Sequence, residues 1–190
     1  MTLPTHGTAP GTWLPVRALT ADAFAAFGDV IELSPGNWQW AINDGNCVRH
    51  HDLARPFASD ATAAPGAVGL SLFDADATPM PATLRRMERH RLGSQAFAPF
   101  GAALQMLLVV ADAGIPAEEL RPEHLVAFIT DGRQGVQLRA GTWHHPLVSL
   151  QAGAWLVVDR IALEADCEVV LVQAWGWGVL GELTGCCPTR

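Results

Sequence analysis

The sequence predicts a mainly β protein, an antiparallel β-barrel or two-sheet sandwich with a short N-terminal helix. Three observations carry this: short apolar, β-branched runs recur along the chain, Gly- and Pro-rich turns separate them, and long helical periodicity is scarce. Residues 1–12, "MTLPTHGTAPGT", read as a flexible leader. "TADAFAAFG" then fits one helix near residues 20–27, with Thr20 as N-cap, Phe24 and Phe27 on one face and Gly28 at C′. "DVIEL" follows as a strand. The further β-like runs are "CVRHHDL", "VGLSLF", "TLRRMERH", "LQMLLVVA", "HLVAFIT", "GVQLRAG", "TWHHPLVSL", "AWLVVD" and "CEVVLVQAW". "SPGNW", "NDG", "DGRQG" and "LRAG" mark turns between them, and Ala117–Leu120 can hold one helical turn. No repeat and no linker divides the chain. A single domain is expected over residues 13–176, with a tail at 177–190.

Composition narrows the function. At 190 residues, 49% of them apolar, the chain can bury one good core. The net charge is -7 and no Lys/Arg cluster forms a phosphate footprint, so a small-molecule ligand is expected rather than nucleic acid. The N-terminus lacks a signal-peptide pattern, and "VVLVQAWGWGVLG" is too short and Gly-interrupted to span a bilayer, so no membrane role is expected. Cys47, Cys167, Cys186 and Cys187 have no metal or redox spacing, which fits reduced thiols in a cytoplasmic protein. The absence of Tyr removes one class of acid/base catalyst.

Two stretches carry chemistry. In "TLRRMERHRLGSQAF", alternation places Leu84, Arg86, Glu88 and His90 on one face and Arg85, Met87 and Arg89 on the other. A strand polar on both faces in so apolar a chain marks a polar cavity or an exposed edge. In "GVQLRAGTWHHPL", Gly141 turns the chain and returns His144 three residues later. If His144 faces a cavity, alternation sends His145 the other way, on the side of Trp143. Packed or surface histidines would explain the same pair without chemistry. The order Glu88-x-His90-x(4)-Gln95, then Arg139-x-Gly141-x-x-His144, resembles the two metal-binding motifs of the cupin superfamily. Such N/O donors suit a divalent first-row metal, although Gln is a weak neutral ligand. A third cluster, "INDGNCVRHHDLA", offers Arg49 as a bidentate carboxylate clamp, or equally a solvated hairpin edge.

Taken together, "FGDVIE", "IND…VRHHDLA", "MERHRLGSQAF", "AFITDGRQGV", "GTWHHPL" and "LVVDR" resemble, in order, the blocks of the ureidoglycolate lyases. The likeness covers roughly residues 14–168 and implies a cupin-like barrel, a homodimer, and release of urea from (S)-ureidoglycolate to give glyoxylate in allantoin and purine breakdown. Where that family has "NYHRG", this chain has Gln137, Leu138, Arg139, Ala140 and Gly141, and His50 and Arg91 also depart from the pattern. The candidate catalytic residues are Glu88, His90 and His144. Asn43, Arg49, Gln95 and Arg139 are the candidates for substrate binding, and His90, Gln95 and His144 for a metal, with Glu88 as base or metal partner. Two rivals stand beside the lyase. One is a divergent cupin that binds a small carboxylate without turnover or acts on a related substrate; the other is a metal-dependent oxygenase or isomerase.

Overall fold

A computed structural model describes residues 12–60 and 65–179. The leader as far as residue 11, and the tail from residue 180 with Cys186 and Cys187, lie outside the described residues. Strands dominate and are mostly antiparallel, as the alternating runs require. They form three stacked layers and a separate hairpin.

The strand Met106–Ala111 shows how the layers stack. All six residues are buried, so both of its faces are covered. Leu107, Val109 and Ala111 join one core cluster, with Leu84, Met87 and Trp143. Met106, Leu108 and Val110 join the other, with Phe24, Phe97, Phe128 and Trp155. This strand lies inside a seven-stranded sheet, running from Glu168–Leu171 through Arg86–Arg89, Trp143–His144, Met106–Ala111 and Val126–Ile129 to Val16–Ala18, with Val148–Ser149 alongside. The second core lies between it and a five-stranded sheet of Gly28–Ile31, Gly135–Leu138, Gln95–Phe100, Gly153–Ile161 and Ala67–Ala75. A three-stranded sheet contributes Leu14 and Val179 to the first core. The two large sheets do not close on each other. The fold is a cupin-like sandwich rather than a closed barrel.

The helix is shorter than the sequence suggests. It is the single turn Ala21–Phe24, and the Thr20 hydroxyl accepts from the Ala23 N–H at 3.3 Å, as expected of an N-cap. Gly28 is not a helix C′ residue but opens a strand, where a Cβ would stand 1.8 Å from the Gln137 carbonyl oxygen. Close strand approach, not a left-handed turn, requires glycine there. The alternation expected from Leu84 to His90 also breaks. Ala82–Thr83 pairs in the three-stranded sheet while Arg86–Arg89 pairs in the seven-stranded one. The crossing between sheets puts Leu84 in the same core as Met87. Trp177–Val179, assigned by sequence to the tail, pairs with Thr12–Leu14 and Ala82–Thr83.

Candidate active site

His144 stands directly opposite Glu88 on the neighbouring strand, so both side chains share one face of the seven-stranded sheet. That face looks toward the five-stranded sheet, since Val110, opposite His144, belongs to the core between the two. His90 follows Glu88 by two residues, and its ring centroid lies 5.5 Å from that of His144. The Gly141 N–H donates to the His90 carbonyl at 2.6 Å, which ties the two segments together just before His144. Gly141 has φ +84°, a conformation that favours glycine.

Both imidazoles are held the same way. His144 Nδ1 donates to the Thr142 carbonyl at 2.9 Å, and His90 Nδ1 donates to the Asp166 carbonyl. Asp166 is itself fixed, because its carboxylate accepts the backbone N–H groups of Arg91 and Leu92. Each ring therefore presents Nε2 as a lone-pair acceptor, and both Nε2 atoms are buried without a hydrogen-bond partner. His144 Nε2 lies 3.7 Å from Glu88 Oε1, and one donor atom each from Glu88, His90 and His144 fall within 4.8 Å of one another. A carbonyl on Nδ1 with Nε2 left free is how proteins orient metal-ligating histidines.

Burial sets the protonation states. It pulls His144 down to about 4 against the favourable Thr142 carbonyl, so the ring is neutral near pH 7. Burial also raises Glu88 above the ordinary carboxylate value, opposed by Arg86 and His90. The cluster thus pairs a neutral imidazole with a carboxylate whose proton affinity is increased. His145 lies apart, in a cavity of about 590 Å³ with Arg85 and Arg86.

His90 links the cluster to a cavity of about 210 Å³, which Gln95 also lines. The Gln95 Oε1 is buried and unpartnered there. Asn43, Arg49 and Arg139 are not brought to it. Asn43 starts the turn of an exposed hairpin. Arg49 lines a different cavity with His50, His51 and Gln137, and its guanidinium carbon lies 5.5 Å from the Trp40 ring centroid. Alternation explains the separation: Leu138 faces the core while Gln137 faces away from it. Arg139 donates to the Ala25 carbonyl at 2.7 Å and stands 3.8 Å from Asp29. The Arg on the wall of the His90 cavity is instead Arg160, next to Asp159. The sequence reading missed both residues. The signal lay in "AWLVVD", where Asp159 shares the parity of Trp155 and Val157, two core residues.

The family model for ureidoglycolate lyase matches residues 12–179. The chain belongs to the ureidoglycolate lyase family. It is 43% identical over 164 residues to a ureidoglycolate lyase of Burkholderia cepacia, covering 85% of this chain and 88% of that one. It is 42% identical over 157 residues to one from Pseudomonas fluorescens strain Pf0-1, covering 82% and 89% respectively. A third, from Azotobacter vinelandii, is 41% identical over 156 residues, again covering 82% and 89%. In this member of the ureidoglycolate lyase family, the half-buried Glu88 and His90 and the buried His144 stand together at the edge of one small cavity.

Proposed function

We propose that the protein is a ureidoglycolate lyase that converts (S)-ureidoglycolate to glyoxylate and urea. The observation that carries the reading is the Glu88–His90–His144 cluster, with two orphaned Nε2 atoms, in a chain so similar to proteins of that name. The reaction breaks the C–N bond of a carbinol-ureide. The hydroxyl gives up its proton, the C–O bond becomes a carbonyl, and the C–N electron pair leaves on nitrogen, which gains a proton to become urea.

Glu88 is the base at the hydroxyl, because desolvation has raised its proton affinity toward the working range. His90 and His144 hold the substrate hydroxyl, which can donate to their free Nε2 lone pairs. The donor set also fits a divalent first-row metal, held by both Nε2 atoms and the Glu88 carboxylate, with Gln95 beside them. Such an ion, when bound, would lower the pKa of the substrate hydroxyl and reduce the demand on the base. Arg160 offers the carboxylate a cation from the cavity wall.

We assign the protein to the cytoplasm, a setting that suits the free thiols of Cys47 and Cys167. We also assign it a homodimer, formed through the exposed row Val68, Leu70 and Leu72 on the edge strand Ala67–Ala75. The deciding experiment incubates purified protein with (S)-ureidoglycolate, as isolated and after chelation with metal returned. Equal amounts of urea and glyoxylate are expected. Glyoxylate binding with no urea under any metal would replace the lyase by a carboxylate-binding protein.

A further inference from the structure

The His90 cavity contains two polar atoms that the catalytic cluster does not use. Asp159 lines it, and its Oδ1 is buried without a hydrogen-bond partner. Gln95 Oε1 is in the same condition. Both are acceptors, so the ligand that completes this wall must bring donors. A buried acceptor left unpaired is costly, which makes the wall selective for a molecule that satisfies it.

The position of Asp159 is built into the sheet. Trp155 and Val157 belong to the core between the large sheets, and alternation gives Asp159 the same inward direction at the end of that row. The strand is paired on both sides at Val158, with Leu70 and with Ala96. An inward carboxylate at the end of an apolar row gives the core nothing. It suits recognition.

A ureido group presents two N–H bonds side by side on the edge away from its carbonyl, and a carboxylate accepts such a pair bidentately. We propose that Asp159, with Gln95 beside it, receives the ureido N–H groups of the substrate and selects ureido acids over plain hydroxy acids. The residue determines specificity, separately from the proton transfer at Glu88. The inference rests on the lyase reading for its substrate but is tested by binding alone.

The test is calorimetric titration of N-carbamoylglycine, which has no hydroxyl to eliminate from, and of glycolate, which has no N–H. Wild type, Asp159→Ala and Asp159→Asn are compared. The wild type should prefer N-carbamoylglycine. Asp159→Ala should bind it about tenfold to hundredfold more weakly, the range for losing a charged hydrogen bond, with glycolate unchanged as the control for an intact fold. Asp159→Asn keeps the size and one acceptor, so it should fall between the two. Equal binding of N-carbamoylglycine by wild type and Asp159→Ala would overturn the assignment, as would a wild type that does not prefer it. A wild type that shows the preference yet releases no urea from ureidoglycolate would sink the lyase reading and leave this one standing.

Discussion

His144 shows what a single residue contributes here. Its side chain is buried, its Nδ1 is satisfied by Thr142, and its Nε2 is left for a ligand. The unfolded chain takes up a proton on this ring near pH 6.5, while the folded protein resists it until about 4. The folded pKa is depressed, so the unfolded state binds more protons within that window and stability falls as pH drops through it. The full cost is about 3 kcal/mol, at about 1.4 kcal/mol per unit. His145, also lowered by burial, adds in the same direction, and Glu88 opposes both. Urea midpoints measured between pH 7 and pH 4.5 should therefore decline, and less steeply in His144→Asn. An unchanged slope in that variant would remove His144 as the cause. At this scale the sequence was informative, since the spacing of Glu88, His90 and His144 was visible and the structure brings them together. Arg49 is not brought to that cluster, because the hairpin carrying it packs on the far face of a sheet, which no local spacing reveals.

Among the elements, the short strand Trp143–His144 depends on a partner that the sequence hid. Arg89 is 1% exposed, and its guanidinium carbon sits 4.0 Å from the Trp143 ring centroid. It forks onto Glu168 at 2.8 and 3.1 Å and donates to the Ala113 and Ile115 carbonyls, the second of which also receives the Trp143 indole N–H. The whole arrangement lies behind Glu88 and His144, on the opposite face of their strands. Arg89→Ala would leave Glu168 to Arg91 alone, leave the Ala113 carbonyl unsatisfied and empty the space against Trp143, so a loss of about 2 kcal/mol is expected. Arg91, which reaches the same Glu168 from solvent, should change stability by about 0.5 kcal/mol or less when replaced by Ala. Denaturant titration of the two variants checks this, and comparable losses would refute the staple. Sequence alone could read Arg89 only as a charge on a strand, because its partner lies 79 residues away. The break at Leu84 was hidden for a similar reason: hydrophobic alternation cannot show where a chain leaves one sheet for another.

For the molecule as a whole, alternating runs and turn residues made the β class legible, while the stacking was not. A strand buried on both faces, such as Met106–Ala111, reads simply as apolar, and nothing in "MLLVVA" says that two different cores meet on it. The proposed homodimer is tested on the apolar row of the edge strand. Val68, Leu70 and Leu72 are 47%, 73% and 58% exposed. Light scattering at micromolar concentration should give twice the chain mass, and Leu70→Asp with Leu72→Asp should return it to one chain, since charge on an edge blocks pairing. A monomeric wild type would dismiss the assembly.

Because one sheet separates the two cores and also carries Glu88 and His144, the site has no private foundation. Neither core can loosen without shifting the wall that these two side chains stand on. Such a molecule has little scope for partial opening around its ligand. Whatever tightens on that wall is felt by both halves at once, and a bound ligand stabilises the chain as a single cooperative unit.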